Sequence, residues 1–432
     1  MTEGDDRQVA EVSEPRELTD VERTVLVTVI VCCVAVMLGF VLKGQCLAPD
    51  AYNGAQYAEL CYNDIQPLYS IRAIQTDTFP YINGEFTTDQ QLIGGAIEYP
   101  VLTGLFMWMA GLLVDDGNAY LRVTALLMAP FALLSAYLLA RMSGRRALLF
   151  AASPAIVFYA FHNWDLLVVG ATVAGLWSWY RGRPIWAAVW FGVGAALKLN
   201  PILFVLPLAL EQLRAHGKRA AAAVLGAGAA TALVLNLPFM VINFDGWWAT
   251  YEFHRVRVPN FDSIWNLASS RYTWGFLHMP DLNLTVAVLT LVTFGIALAY
   301  GWRRAQREGV YPFVGVAGAL LATFLLWNKV HSPQYTLWLI PFFVVLNISW
   351  FWWAAYTIVD AVAYVGIFQW FYDIVYQGQT EWTPAKWAMV TSVWTRAALL
   401  LVLIVVFLRA NHVRGPDEED VAPDTETVAA LA

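Results

Sequence analysis

The chain has 432 residues, of which 59% are hydrophobic and 14% are charged, and its formal net charge is −7. About a quarter of the residues of a soluble domain are charged, so this composition excludes an ordinary globular enzyme and indicates a multi-pass membrane protein. Much of the negative charge lies near the two ends, and there is no basic stripe of the kind that binds nucleic acid. The lipid bilayer is therefore an expected partner, and nucleic acid is not.

Apolar runs predict an all-α bundle of about twelve transmembrane helices. The runs are 25–43, 119–140, 147–161, 165–180, 184–198, 200–213, 219–242, 283–302, 311–327, 335–348, 350–371 and 388–409. The first run is too long for a signal-peptide core and lacks a cleavage site, so it is expected to be retained. We expect 1–24 to form a cytoplasmic tail, 25–410 a single transmembrane domain, and the acidic stretch 411–432 a disordered cytoplasmic tail.

Basic residues cluster at the ends of alternate spans, at 141–146, 181–183, 214–219, 303–307 and 409–414. The positive-inside rule makes these ends cytoplasmic, which predicts that both termini are inside and that the long polar loop 44–100 is outside. Cys46 and Cys61 both lie in this loop and could pair in an oxidising compartment, although their spacing does not fix the pairing. These features favour an extracytoplasmic site, and we expect the protein in the plasma membrane.

The segment 101–114 does not fit simple alternation. As a full crossing it would place the arginines at 141–146 outside, against the charge rule. We expect a re-entrant or juxtamembrane helix on the outer side, because such a helix is tolerated where it is buried in protein or lines a cavity. The alternative is a true crossing with a local breach of the charge rule.

Asp64 is the candidate general base. It lies between two tyrosines in the outer loop, where a partly desolvated carboxylate could remove a proton from an attacking hydroxyl group. An Asn-Asp pair is also common in turns, so a turn-capping role is the alternative. Glu98 could face the same cleft.

Several other ionisable residues are predicted at the outer face. Basic residues are unexpected there, because the positive-inside rule places most Lys and Arg on the cytoplasmic side. They are Arg122, His162, Asp165, Lys198, His254, Arg255, Arg257, Lys329 and His331. A phosphate group at the membrane surface would explain the cations, because Arg and Lys form charge-assisted bonds to it. The alternative is a set of ordinary loop charges or lipid-headgroup contacts. Asp360 and Arg396 lie inside late spans and are expected to form a salt bridge.

Motifs for metal ligands, Walker loops and dinucleotide loops are absent, so nucleotide-driven transport has no support in the sequence. No cofactor is expected, no metal ligands are assigned, and a metal requirement stays open.

A series of outer-face motifs over 20–410 resembles membrane glycosyltransferases of the GT-C superfamily. The motifs, in order, are Asp64 with Tyr69, Tyr99-Pro100-Val101-Leu102, Leu121-Arg122, Ser153-Pro154 followed by Asp165, Lys198-Leu199-Asn200-Pro201, and His331 with Gln334, Tyr335 and Pro341. The likeness is strongest to the polyprenyl-phosphomannose-dependent enzymes of glycosyltransferase family 87, of the actinobacterial type. It implies a GT-C-like bundle in which 44–100 is the catalytic loop.

The resemblance also implies a reaction. A sugar, mannose above all, would pass from a polyprenyl-phosphate carrier to a glycolipid or glycan acceptor, with inversion at the sugar carbon and with Asp64 as general base. The implied substrate-binding residues are Tyr62, Tyr69, Glu98, Arg122, His162, Asp165, Lys198, His254, Arg255, Arg257, Lys329, His331, Gln334 and Tyr335. The alternatives are a transporter or flippase of lipid-linked sugars and a transferase for another prenyl-phosphate sugar such as arabinose.

Overall fold

The computed structural model describes residues 18–48, 51–269, 281–413 and 415. The predicted cytoplasmic tails fall largely outside these residues. The described chain is helical apart from one short hairpin and an isolated bridge. The helices are α1 (Asp20–Gly44), α2 (Ala55–Ala58), α3 (Ile65–Ile71), α4 (Val101–Gly111), α5 (Gly117–Ser143), α6 (Leu148–Ala151), α7 (Pro154–Tyr159), α8 (Asp165–Tyr180), α9 (Pro184–Leu197), α10 (Val205–His216), α11 (Lys218–Ile242), α12 (Phe244–Val256), α13 (Ile264–Ser269), α14 (Leu282–Glu308), α15 (Phe313–Trp327), α16 (Thr336–Val345), α17 (Trp350–Val375) and α18 (Pro384–Arg409).

Six helical segments of the described chain are long and apolar enough to cross a membrane. They are 20–47, 117–151, 218–242, 282–308, 350–375 and 384–409. Helices α4, α9, α15 and α16 are apolar but shorter. The all-α membrane class is therefore confirmed, whereas the number of about twelve crossings stays a prediction.

One expected span has a different form. The predicted helix 147–161 consists of two short helices, α6 and α7, with a break before Pro154. Proline lacks the N–H group that would continue the helix and clashes with the preceding turn. The Ser153 side chain instead accepts a bond from the N–H of Ala155 and starts α7 anew. This break brings the chain to the turn 160–164, which carries several polar groups of the site.

Helix α4 has 11 residues, equivalent to about 16 Å at 1.5 Å per residue, and so it is too short to cross a hydrocarbon core of about 30 Å. Thr103 donates a 2.8 Å hydrogen bond to the Leu197 carbonyl, which joins α4 to the end of α9. A Cβ atom on Gly104 would lie 1.9 Å from the Tyr81 hydroxyl, so only glycine allows this approach. A short helix packed in this way is compatible with the re-entrant hypothesis, which stays a prediction.

The loop 44–100 is folded and held to the helices. A disulfide joins Cys46 to Cys61, the pairing that the sequence left open. Strands β1 (Glu85–Phe86) and β2 (Leu92–Ile93), which the sequence analysis did not predict, form an antiparallel hairpin. The Asn243 side chain at the start of α12 donates to the carbonyls of Ile82 and Gly84, 2.9 and 3.1 Å away. The disulfide and these hydrogen bonds therefore fix the position of the loop relative to α1 and α12.

The expected salt bridge between Asp360 and Arg396 is present, with 3.3 Å between guanidinium and carboxylate. Arg396 also lies 3.7 Å from the carboxylate of Asp262, a residue of the loop after α12. One buried cation is thus shared by two buried acids on different elements. This arrangement follows the rule that charges removed from solvent are paired.

Candidate active site

Asp64 precedes α3, and its backbone N–H donates a 2.8 Å bond to the His162 carbonyl. Its side chain makes no capping bond to α3. The neighbouring Asn63 has that role, because its side-chain oxygen accepts a 2.9 Å bond from the N–H of Gln66. The turn-capping alternative for Asp64 is therefore not what the structure shows, and its carboxylate lines a cavity.

Two neutral donors hold the Asp64 carboxylate. The Tyr62 hydroxyl donates to Oδ1 at 3.1 Å, and Nδ2 of Asn163 donates to Oδ2 at 2.7 Å. Burial raises the pKa of Asp64 above its ordinary value, while the bonds from Asn163 and Tyr62 oppose the rise because they favour the ionised form. A carboxylate with a raised pKa is a better proton acceptor at neutral pH.

Asn163 connects Asp64 to a buried cation. Its side-chain oxygen accepts a 3.1 Å bond from the Lys198 ammonium, and its Nδ2 also donates to the Tyr99 hydroxyl at 2.6 Å. Lys198 donates in turn to Asp165 at 2.8 Å. A continuous polar chain therefore runs from Asp64 through Asn163 and Lys198 to Asp165.

Lys198 lies at the C-terminal end of α9, where the backbone becomes extended. It is only 7% exposed, and its ammonium lies 5.2 to 5.6 Å from the ring centres of Tyr99, Tyr335 and Trp338. Aromatic faces attract a cation and are rigid. The Trp338 indole also donates to Asp165 at 2.6 Å, which fixes the partner of Lys198.

Two cavities meet at Lys198. The larger has a volume of about 520 Å³ and includes Asp64, and the smaller has a volume of about 300 Å³. The residues that line both cavities are Glu98, Tyr99, Lys198, His254 and Tyr335. The smaller cavity also contacts apolar side chains such as Phe324 and Trp338. A ligand in one cavity would therefore have its polar end near a ligand in the other.

Lys329 supplies positive charge to the smaller cavity. Its ammonium donates to the Arg255 carbonyl at 2.8 Å and to the Asn283 side chain at 2.7 Å, with no carboxylate in ion-pair contact among the described residues. Burial, together with the positive charges of Arg255 and Arg257, lowers the pKa of Lys329. A bound anion would relieve this repulsion, so the smaller cavity favours an anionic ligand.

The negative charge of Glu98, by contrast, is compensated by an ion pair with Arg72. Its carboxylate accepts bonds of 2.5 and 3.2 Å from the Arg72 guanidinium, and its backbone carbonyl lies 2.8 Å from Nε2 of His254. Glu98 and His254 form part of the wall between the two cavities. Glu98 therefore lines the cleft, as expected, but as half of an ion pair.

The structure brings most of the predicted site residues together. The larger cavity is lined by Tyr62, Asp64, Glu98, His162, Lys198, His254, Arg257, Gln334 and Tyr335. Asp165 does not line either of these cavities and lies behind Lys198, and Lys329 lines the smaller one. These positions agree with one common site, whereas its location on the outer face and the roles of the side chains stay predictions.

Four predicted residues lie elsewhere. Arg122 is exposed on α5, and the Tyr69 hydroxyl donates to the Val114 carbonyl while its ring packs on Tyr120. Arg255 is exposed and paired with Glu252, three residues away on the same helix. The side chain of His331 faces a small separate void beside Arg396. The motif order suggested these residues, but the structure does not place their side chains in either main cavity.

Sequence reasoning missed Asn163, the ring of Tyr99, and Lys43. Lys43 is fully buried and donates 2.7 Å bonds to the Tyr62 carbonyl and the Tyr364 hydroxyl, with Nδ1 of His162 at 3.2 Å. It therefore contacts both segments that hold Asp64. A lysine at the predicted outer end of the first span, where the positive-inside rule expects few basic residues, was the available signal.

A comparison with protein-family models matches residues 97–333, more than half of the chain, to glycosyltransferase family 87. The matched range includes Asn163, Lys198 and Lys329 but begins after Asp64. A search of curated proteins found no significant match. The resemblance inferred from the motif order is confirmed by the family model.

Removing Lys198 should destabilise the fold. Lys198→Met would leave Asp165 as an unpaired buried charge, so we expect the free energy of unfolding to fall by about 3–5 kcal/mol. The double variant Lys198→Met/Asp165→Leu should recover much of this loss, and Lys218→Met, at an exposed lysine, should have little effect. Denaturant unfolding of the purified protein measures these differences. A single variant as stable as the wild type would show that the pair does not hold the site together.

Proposed function

Since the chain belongs to glycosyltransferase family 87 and is a membrane glycosyltransferase, we propose that it transfers mannose from a polyprenyl-phosphate carrier to a glycolipid or glycan hydroxyl group. The observation that carries this proposal is the polar chain from Asp64 to Lys198, on the wall between two cavities. It supports the proposal because a carboxylate and a cation lie on the wall where we expect the two substrates to meet.

The donor fits the smaller cavity. Its phosphate group would lie between Lys198 and Lys329, and the first prenyl units would contact apolar side chains such as Phe324 and Trp338. Lys198 is paired with Asp165, so Lys329 contributes the larger net positive charge to this cavity. The acceptor would then enter the larger cavity, where Asp64 lies.

The reaction is a single displacement. Asp64 takes the proton of the acceptor hydroxyl while the acceptor oxygen forms a bond to C1 of the sugar. The bond between C1 and the phosphate oxygen breaks, and its electron pair leaves with the prenyl phosphate. Lysine ammonium groups stabilise the charge that develops on this oxygen, and attack from the opposite side inverts the anomeric centre.

The disulfide between Cys46 and Cys61 supports an extracytoplasmic site, because such bonds persist in oxidising compartments. The basic clusters support the same orientation, with the termini in the cytoplasm of a plasma-membrane protein. Membership of a transferase family favours sugar transfer over transport of a lipid-linked sugar.

Replacement of the proposed base is the direct test. Asp64→Asn keeps the shape of the side chain but cannot take a proton, so we expect kcat to fall by about 10²- to 10⁴-fold with little change in donor KM. Asp89→Asn makes the same change at an exposed position of the same loop and should leave turnover unchanged. Transfer of radiolabelled mannose from polyprenyl-phosphate mannose to membrane acceptors is the assay. Wild-type turnover in Asp64→Asn would rule out the proposed role.

The pH dependence should change when Tyr62 loses its hydroxyl group. The ionised form of Asp64 is the active form, so activity falls as pH decreases through its pKa. Tyr62→Phe removes a bond that favours the ionised carboxylate and so raises that pKa. We expect kcat/KM to decline at a higher pH than in the wild type. Tyr69→Phe, whose lost bond is to Val114, should keep the wild-type profile, and identical profiles for all three proteins would contradict the assignment.

A further inference from the structure

Lys43 is a buried cation, in the last turn of α1, that the proposed reaction does not use. It is fully buried and lines neither of the two main cavities. Its ammonium has no carboxylate in ion-pair contact in the part of the chain that the structure describes. A lysine at a helix end can extend its side chain to water, whereas burial of its charge costs free energy. A specific role is therefore expected.

Three acceptors match the three N–H groups of this ammonium. They are the Tyr62 carbonyl at 2.7 Å, the Tyr364 hydroxyl at 2.7 Å and Nδ1 of His162 at 3.2 Å. The Tyr364 hydroxyl donates its own hydrogen to the Leu60 carbonyl at 2.6 Å, so its oxygen is available to accept from Lys43. Lys43 thus joins α1 to the loop before α3, to the turn before α8 and to α17.

The same contacts hold both donors of the Asp64 carboxylate. Tyr62, whose carbonyl accepts from Lys43, donates its hydroxyl to Oδ1 of Asp64. Asn163, which follows His162 in the chain, donates to Oδ2. The His162 carbonyl also accepts the backbone N–H of Asp64 at 2.8 Å. Without Lys43 the two segments lose their shared donor on α1, so the two donors of Asp64 are free to move apart.

The charge of Lys43 also acts on Asp64, because the ammonium and the carboxylate attract each other. An opposite charge favours the ionised form of a carboxyl group, which is the form that accepts a proton. The other ionisable groups that interact with the Asp64 charge are Tyr52, Tyr57, Tyr62, Glu98, Tyr99 and Lys198.

The nearest titratable neighbours stay neutral near pH 7. The negative charge of Asp64 and burial raise the pKa of Tyr62, and burial lowers the pKa of His162, with the charge of Lys43 acting in the same direction. A change in the titration of Asp64 after Lys43 is replaced would therefore report the loss of the Lys43 charge.

We propose that Lys43 is a positioning residue, which holds the Asp64 carboxylate between its two donors and favours its ionised form. The role in turnover rests on the proposed function, because it requires Asp64 to be the base. The effect on the carboxylate itself does not, and it can be measured without any sugar.

The transfer arm uses Lys43→Met, which keeps the length of the side chain but removes its charge and all three bonds. We expect kcat for mannose transfer to fall by about 10- to 100-fold with little change in donor KM, because a base displaced by even about 1 Å is much less effective. The acid limb of the kcat/KM profile should move to higher pH by about 0.5–1 unit, since the ionised carboxylate loses a favourable charge. Lys43→Gln keeps two N–H groups without the charge, so it should recover part of kcat and retain the shifted limb.

The spectroscopic arm follows the carboxyl group directly. Difference infrared spectra between each protein and its Asp64→Asn version give the titration of Asp64 in the absence of substrate. The pKa of Asp64 should be higher in Lys43→Met and Lys43→Gln than in the wild type. Lys386→Met is the matched control and should behave as the wild type does in both arms. Lys386 is a buried lysine at the start of α18, only 4% exposed, which bonds to the Thr380 carbonyl and lines neither main cavity.

A wild-type kcat, acid limb and Asp64 titration in Lys43→Met would overturn the role of Lys43. A fall in kcat without movement of the acid limb or of the Asp64 titration would also overturn it, because Lys43 would then only stabilise the fold. A shifted Asp64 titration in a protein that transfers no mannose would support the role of Lys43 while contradicting the proposed function. If Lys43→Met does not fold, as judged by size-exclusion chromatography, the same outcomes for Lys43→Gln decide.

Discussion

The buried ammonium of Lys198 is the constraint on which the rest of the site depends. A charge removed from water must be paired or it destabilises the fold, and here Asp165, Asn163 and three aromatic rings surround it. The same amide that satisfies Lys198 also holds the carboxylate of Asp64. Charge compensation in the wall therefore fixes the distance between the proposed base and the cation. A change at Lys198 should affect stability and chemistry together.

The bilayer explains why the polar groups gather at one edge. Helix surfaces that face the hydrocarbon must be apolar, and the polar chain from Asp64 to Asp165 lies where helices end or break. Pro154 interrupts the helix before the turn that carries Asn163, and α9 ends next to Lys198. The disulfide-bonded loop then brings Asp64 to these ends. Under the proposed function, such a site would receive a lipid-linked donor from the membrane side and a hydroxyl-bearing acceptor from the aqueous side.

Hydropathy and charge predicted most helices within a few residues, because the 3.6-residue geometry and the bilayer leave little choice. They could not show where side chains point. Arg122 and His331 belong to the motifs that suggested the site, yet the side chain of neither residue lines one of the two main cavities. Asn163 was missed because a neutral amide gives no charge signal, although it bonds to both Asp64 and Lys198. The hairpin of four strand residues was too short to leave a periodic pattern.

We propose that a phosphate group and a proton acceptor meet across the wall formed by Lys198. The most direct measurement is a structure of the protein with a non-transferable polyprenyl-phosphonate analogue of the donor sugar. We predict phosphonate oxygens within about 3 Å of the Lys198 or Lys329 ammonium, in the smaller cavity, with the sugar C1 facing Asp64 across the shared wall. A phosphonate bound away from both lysines, or a sugar carbon that Asp64 cannot reach through an acceptor oxygen, would contradict it.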